Sequence, residues 1–204
     1  MSTLNTTEKS TDHFSLKDYS LAGEKLNIFT IPAPVLKKVA EPVTEFNDEL
    51  RLLIKNMLFT MYHAPGIGLA APQVGVSQRF FVMDIDFDRE EIANAEGEEE
   101  IRLSHFNPQV FINPVISSAS GEIVHEEGCL SVPGIFEEVK RAEHIKVDYQ
   151  DMFGEHHSIE VDEMLAICIQ HENDHLDGIV FLDRLSMLKK NLLTKKFMKK
   201  KKRG

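Results

Sequence analysis

The chain has 204 residues, of which 42% are hydrophobic and 27% charged, so it is long enough for one well-packed domain and short for two. No apolar run approaches the ~20 residues of a membrane span, and Gly and Pro are not in excess, which excludes membrane, collagen-like and wholly disordered chains. The only cysteines, Cys129 and Cys168, are too few for a disulfide scaffold, and the polar first ten residues differ from a secretory signal. We therefore expect a cytoplasmic protein without a membrane partner.

The net charge of −10 conceals an uneven distribution. Residues 184–204 contain ten Lys and Arg and no acidic residue, whereas residues 1–183 contain 13 basic and 33 acidic residues. An acidic body repels nucleic acid, so we expect no DNA to bind across it, but the basic segment can approach phosphate groups by itself. Charge alone leaves two alternatives open, a solvated tail and a contact with nucleic acid.

Hydrophobic patterning divides the chain into three parts. Residues 1–24 are polar and weakly patterned, and we expect a loosely ordered N-terminal extension. Residues 25–188 carry the periodic apolar segments, which predicts a single domain. Residues 189–204 form a basic helix or tail.

The first half of that domain contains a helix, a loop and a strand. Between Pro42 and Pro65, apolar residues recur at helical spacing and predict a helix. The segment 66–75, GIGLAAPQVG, resists regular structure and predicts a structured loop, and Arg79–Ile85 predicts a strand. The acid-rich segment 84–101 predicts an exposed loop, for which the sequence suggests no role.

The second half changes from strand patterns to helical ones. Short segments rich in Val, Ile and Phe, separated by turn residues, predict several mostly antiparallel strands within residues 109–161. Residues 163–177 predict one helix, and a last helix begins at about Ser186. Its apolar residues are expected on one side: Leu188, Leu192 and Leu193. Because strands and helices do not alternate, the predicted fold class is α+β.

The predicted 163–177 helix carries the sequence His-Glu-Asn-Asp-His. Residues four apart project to the same side of a helix, so His171 and His175 can bind one cation. Glu172 lies one position round the helix, where its carboxylate can take a proton from water at that cation. This HExxH pattern therefore predicts a metal site with its own base.

A catalytic site of this kind needs a third protein ligand. Downstream, Phe181 stands where the extended HExxHxxGxxH pattern has its third histidine, and no distant acid follows as in thermolysin-like peptidases. The ligand must come from upstream, and Cys129 is the best candidate because a thiolate binds borderline metals strongly. Four histidines compete with it: His125, His144, His156 and His157.

Three short motifs, in this order and with these gaps, resemble those of the peptide deformylase family. They are GIGLAAPQVG (66–75), EGCLS (127–131) and QHENDHLDG (170–178). The resemblance runs from about Leu26 to Leu188 and follows the bacterial iron-type branch, including the basic helix that follows DRLSMLKK. It implies an α+β fold in which strands surround the metal-bearing helix. It also implies hydrolysis of the N-formyl group from the initiator methionine of nascent polypeptides, with release of formate.

The resemblance also implies the roles of the site residues. Three ligands would hold one divalent metal: Cys129, His171 and His175. The branch implies Fe²⁺, although thiolate and imidazole also suit Zn²⁺. Glu172 would be the general acid/base, and Gln73 and the Leu130 backbone N–H would stabilise the oxyanion.

By the same resemblance, the peptide would lie extended between the segment 66–75 and the EGCLS motif. Its backbone would be bordered by Ile67, Gly68 and Gly128. The methionine side chain would enter an apolar pocket that includes Met164, Ile167 and Cys168. Bacterial relatives use a basic C-terminal helix to dock on the ribosome, which implies the same for the basic segment here.

Two functions of other kinds remain as alternatives. One is a zinc endopeptidase that uses the HENDH sequence. The other is a structural metal module whose basic tail binds RNA and whose fourth metal position is closed by protein.

Overall fold

The computed structural model describes residues 16, 19, 21–93 and 99–202. The expected N-terminal extension, 1–24, lies mostly outside the described residues. The helices are α1 (Asp48–His63), α2 (Glu163–Leu176) and α3 (Met187–Lys201). The strands are β1 (Gly68–Ala70), β2 (Phe80–Met83), β3 (Asp88–Ala93), β4 (Glu99–Ser104), β5 (Gln109–Ser120), β6 (Ile123–Gly128), β7 (Phe136–Arg141), β8 (His144–Gln150) and β9 (His156–Asp162). No described helix is long and apolar enough to cross a membrane.

A five-stranded antiparallel sheet in the order β1-β2-β5-β8-β9 lies between α1 and α2. Successive residues of a strand point to opposite faces of the sheet, and β2 shows how both faces are covered by apolar packing. Phe80 and Val82 pack in the cluster that contains the apolar side of α1, whereas Phe81 and Met83 pack in the cluster that contains α2. All four positions of β2 must be apolar because both faces of this sheet are covered.

The polar side of α2 is turned to a second, two-stranded sheet. β6 and β7 pair antiparallel from Ile123↔Arg141 to Gly128↔Phe136. Below them, a third apolar cluster joins the loop after β6, the 3-10 helix Phe181–Arg184 and α3. Strands of both sheets therefore border α2, and the expected α+β fold with a central helix is confirmed.

Several predicted elements agree with the structure within a few residues. α1 lies between Pro42 and Pro65, α2 occupies the predicted helix 163–177, and Ser186 caps α3 by accepting a hydrogen bond from the Lys189 backbone N–H. The segment 66–75 is more regular than expected, because it contains β1 and a 3-10 helix, Ala71–Val74.

Two expectations are wrong. The three leucines of α3 do not all lie on one side, since Leu188 is 81% and Leu192 is 65% exposed, whereas Leu193 is partly buried in the cluster that contains Phe197. Most of the described residues of the acid-rich segment 84–101 are in strands and not in a loop, because β3 and β4 pair from Asp88↔Ser104 to Ala93↔Glu99. Both strands are largely exposed, so the alternation that predicts a half-buried strand is missing there.

This acidic hairpin, β3–β4, is anchored by a buried carboxylate. Asp84 is fully buried and accepts hydrogen bonds from the Tyr62 hydroxyl (2.5 Å) and the backbone N–H groups of Asn107 (2.7 Å) and Asp86 (2.9 Å). Burial, together with the Asp84 carboxylate, raises the pKa of Tyr62, which keeps its hydroxyl a donor. Asp84 therefore ties the hairpin to the end of α1.

Tyr62→Phe should destabilise the fold, because it leaves a buried carboxylate oxygen with one donor fewer. We expect a loss of about 1–3 kcal/mol in the free energy of unfolding. Urea denaturation followed by circular dichroism measures it. An unchanged midpoint would show that the Tyr62–Asp84 hydrogen bond contributes nothing to stability.

Candidate metal centre

The ends of two elements bring a sulfur and two imidazoles together. Cys129 follows the last residue of β6, and His171 and His175 lie one turn apart on the buried side of α2. Their ligand atoms all lie within 4.8 Å of one another, and Cys129 Sγ is 3.2 Å from His175 Nε2. Thus the upstream ligand predicted from the sequence reaches the HExxH helix.

The competing histidines lie elsewhere in the described structure. His157 is paired with Asp151 at 3.1 Å, and His144 lies 3.9 Å from Glu143 and from Asp162. His156 is exposed on β9. His125 lines the cavity beside the cluster but does not belong to it.

This donor set fits a divalent metal. Thiolate and imidazole are ligands of borderline metals such as zinc and iron. A tetrahedral ion with metal–sulfur and metal–nitrogen bonds of about 2.3 and 2.0 Å would separate its ligand atoms by about 3.5 Å. The 3.2 Å separation of Cys129 Sγ and His175 Nε2 is close to that value.

Glu172 is buried beside the cluster. Its Oε2 has no hydrogen-bond partner among the described residues, and burial raises the pKa of its carboxyl to about 7. Gly68 permits this arrangement, because a Cβ at that position would collide with the Glu172 carboxylate. An unpartnered carboxylate oxygen at the cavity wall is suited to a water molecule, and its raised pKa suits proton transfer near neutrality.

A buried network of charges orients the first histidine. His171 Nδ1 lies 2.7 Å from Glu127 Oε2, which leaves Nε2 directed to the cluster. Arg141 donates to Glu127 at 2.7 and 2.9 Å and to Asp174 at 2.6 Å, and Arg184 donates to Asp174 from the other side. Burial alone would raise the pKa of Glu127, but Arg141 and His171 outweigh it and hold the pKa at about 2.

Sequence reasoning missed this network. Glu127 and Asp174 lie inside two of the motifs and could have been considered as supporting groups. Arg141 has no local signal, because it meets Glu127 from 14 residues away and Asp174 from 33. Its position follows only from the pairing of β6 with β7.

Gln73 directs its amide nitrogen towards the sulfur of Cys129. Its Oε1 accepts a hydrogen bond from the Ala70 backbone N–H at 2.8 Å, which fixes the amide. Its Nε2 donates to Ser131 Oγ at 3.2 Å and lies 3.6 Å from Cys129 Sγ. The donor side of this buried side chain therefore faces the cluster of Cys129, His171 and His175.

A cavity of about 350 Å³ opens onto this centre. All residues expected to border the substrate line it: Ile67, Gly68, Gly128, Met164, Ile167 and Cys168. Leu130, Gln73 and Glu172 lie on its walls as well, and His125 and Phe136 are also among the lining residues. Burial raises the pKa of the Cys168 thiol, so Cys168 is a neutral part of the wall.

An HExxH helix, an upstream cysteine and a buried glutamate at one cavity define a metal-dependent hydrolase. The polypeptide deformylase family matches residues 25–191 of the chain. The chain belongs to this family, which removes the N-formyl group from nascent polypeptides. Hydrolase activity on formylated peptides is thereby confirmed, and the alternatives of a zinc endopeptidase and of a purely structural metal module lose support.

Individual peptide deformylases are similar in sequence to this protein over most of the chain. A peptide deformylase of Neisseria meningitidis is 48% identical over 177 residues, covering 87% of this chain and 96% of that protein. A peptide deformylase of Erythrobacter litoralis is 46% identical over 184 residues, covering 84% of this chain and 95% of that protein.

Solved structures give the same result. The crystal structure of a peptide deformylase from Legionella pneumophila superposes with a TM-score of 0.74 at 42% identity, covering 87% of this chain and 96% of that one. The crystal structure of the Synechococcus elongatus peptide deformylase in complex with actinonin superposes with a TM-score of 0.72 at 37% identity, covering 87% of this chain and 91% of that one.

Glu127→Gln should weaken metal binding, because it removes the carboxylate that fixes His171 and balances Arg141. Loss of such a supporting group lowers metal affinity about 10- to 100-fold. Competition with a chromophoric chelator measures the affinity. The matched control is Glu122→Gln, which alters an exposed partner of Lys140; equal affinities for the two variants would contradict the orienting role of Glu127.

Proposed function

We propose that Cys129, His171 and His175 hold the divalent metal of this deformylase. The proposal is supported by one observation above all, the approach of the Cys129 sulfur, directly after β6, to two imidazoles of α2. When bound, the metal supplies Lewis acidity, which makes water a competent nucleophile near neutral pH. The resemblance to the iron-type branch favours Fe²⁺, and elemental analysis of protein purified without oxygen identifies the metal.

Glu172 serves as the proton carrier of the reaction. Its carboxylate accepts a proton from the attacking water and then protonates the amine that departs from the formyl carbon, so formate and a free N-terminus are produced. The pKa of about 7 lets the same group accept and return a proton near neutrality. Gly68 leaves room for this carboxylate at the cavity wall.

Gln73 and the backbone N–H of Leu130 stabilise the charge that grows on the formyl oxygen. Donors already directed at such a charge contribute about 3 kcal/mol each in other hydrolases. The Gln73 amide is fixed by Ala70 and Ser131 and carries no competing charge. It therefore needs little reorganisation during the reaction.

The cavity receives the formyl-methionine end of the peptide. Met164, Ile167 and Cys168 lie along one side of α2 and offer an apolar wall to the methionine side chain. The backbones of Ile67, Gly68 and Gly128 lie where an extended peptide can hydrogen-bond. We assign this catalytic function to residues 25–188 as one domain and place the protein in the cytoplasm, where nascent chains are made.

Glu172→Ala should abolish most turnover while the metal is retained, because the three ligands are unchanged. We expect formate release from formyl-Met-Ala-Ser to fall about 100-fold or more. Metal content is measured on the same samples, and cleavage within an unformylated peptide is assayed in parallel. Glu160→Ala, an exposed change on β9, is the control; turnover equal to this control would remove Glu172 from the mechanism.

We infer further that α3 docks the enzyme on the ribosome. Its exposed face runs from Leu188 and Leu192 to Lys195, Lys196 and Lys199. Ion pairs join Lys189 to Glu137 and Lys190 to Asp183, whereas no described carboxylate pairs with the three lysines further along. Basic side chains that are free of carboxylates are available for the phosphates of ribosomal RNA.

Replacing Lys195, Lys196 and Lys199 by Ala should weaken ribosome binding. The slope of log affinity against log salt should fall by about two, at roughly 0.7 per lost phosphate contact. Cosedimentation with ribosomes across a salt series measures this slope. Lys25, Lys55 and Lys140, replaced together by Ala, are the control, and identical slopes for both variants would contradict docking through α3. Truncation is unsuitable, because Phe197 is buried.

A further inference from the structure

His125 lines the cavity and has no role in the proposed hydrolysis. It lies on β6 and is half-buried. No hydrogen bond, ion pair or ring contact joins its imidazole to another described residue. The other described histidine without such a contact is His156, which is exposed on β9. An imidazole can donate at one ring nitrogen and accept at the other, so the polar partner of this partly buried ring has to come from the contents of the cavity.

The alternation along β6 fixes the side to which His125 points. Glu127 contacts His171 of α2, so its side of β6 is turned to that helix. Because successive strand residues alternate, His125 shares this side, whereas Glu126 lies on the other side and is exposed. Across the ladder, His125 is opposite Val139, which is only 1% exposed. The imidazole therefore lies on the inner side of β6, beside an apolar neighbour.

β6 also has a free edge beside the cavity. Within the described structure it pairs only with β7, and residues 125–130 line the cavity one after another. An extended peptide can add to such an edge as a further strand. The formyl group has to reach the cluster that includes Cys129, directly after β6. The peptide therefore runs from Cys129 back along β6 and is antiparallel to it.

In an antiparallel pair, residues that lie opposite each other point to the same side. The methionine side chain, in the apolar pocket of α2, shares the side of Glu127. The second peptide residue then points to the side of Glu126, and the third returns to the side of His125. Two residues of an extended strand span about 7 Å on both chains, so this register is kept from the first residue to the third.

We propose that His125 is a specificity-determining residue of the deformylase reaction. Its imidazole hydrogen-bonds the side chain of the third peptide residue and selects an uncharged hydroxyl or amide group there. The inference rests on the peptide path of the proposed function. An aliphatic side chain at the third position would cover the imidazole and leave it without a partner, which is unfavourable for a buried polar group.

The charge of the cavity determines why the selected group is uncharged. No Lys or Arg is among the lining residues, whereas three glutamates are: Glu126, Glu127 and Glu172. Arg141 compensates Glu127, but no described cation pairs with Glu126. A carboxylate on the third residue would be repelled by this surface. A hydroxyl or amide satisfies the imidazole without adding a negative charge.

The test compares substrates that differ in one hydrogen-bonding group. Formyl-Met-Ala-Thr and formyl-Met-Ala-Val have third side chains of nearly the same shape, but only Thr carries a hydroxyl. With metal-loaded wild-type protein, we expect kcat/KM for formate release to be about three- to tenfold higher for the Thr peptide, the range of one net hydrogen bond. Equal values would overturn the inference. So would a Thr preference of the same size between formyl-Met-Thr-Ala and formyl-Met-Val-Ala, where the change is at the second position.

His125→Leu removes the imidazole and keeps a side chain of similar size. In this variant the preference for the Thr peptide should disappear, while the Val peptide is still hydrolysed. The matched control is His156→Leu, which removes a histidine without a described partner from β9 and should keep the wild-type preference. A Thr preference that persists in His125→Leu would overturn the inference. The wild-type comparison stands even where a variant impairs folding.

Formyl-Met-Ala-Asn and formyl-Met-Ala-Asp test the chemical class, because these two side chains differ mainly in charge. We expect the higher kcat/KM for the Asn peptide, and faster hydrolysis of the Asp peptide would overturn the selection of an uncharged group. Failure of the proposed function looks different. Metal-loaded wild-type protein would then release no formate from any of these peptides, and the inference would fall with it.

Discussion

The structure depends on the burial of ionisable side chains on one side of α2. His171, Glu172, Asp174 and His175 are all buried, while the opposite side of the same helix packs on the five-stranded sheet. Burying charge without a partner is strongly unfavourable, so these groups need partners or, as for Glu172, a pKa that burial raises. Arg141 and Arg184 provide it for Asp174, Glu127 for His171, and the proposed metal for the two imidazoles.

This requirement explains why the site draws on distant parts of the chain. β6 supplies the carboxylate that orients His171, and the residue after β6 supplies the sulfur. β7 supplies the guanidinium, and the segment before β2 supplies Gln73. None of these elements could form the site alone. The pairing of β6 with β7 is thus as important to the metal centre as the HExxH helix itself.

Much of the site could be predicted because its proposed metal ligands lie in short motifs whose spacing has chemical meaning. His171 and His175 follow from helical periodicity, and Cys129 from the need for a third ligand upstream. Arg141 could not be predicted, since its contacts are long-range. The elements that were predicted wrongly lie at the surface: Leu188, Leu192 and Leu193 were expected on one side of α3, but hydrophobicity alone does not show which face of a helix is covered.

The acidic hairpin illustrates a related point about surfaces. Each of its two strands has an outer side on which backbone N–H and C=O groups are not paired within the two-stranded sheet, and such open edges can template pairing with another chain. Glu90, Glu91, Glu99 and Glu100 line these strands and are exposed. A second copy of the hairpin brought alongside would place carboxylate next to carboxylate, which disfavours aggregation through these strands. The acidic composition that made the strands hard to predict from the sequence therefore also protects their edges.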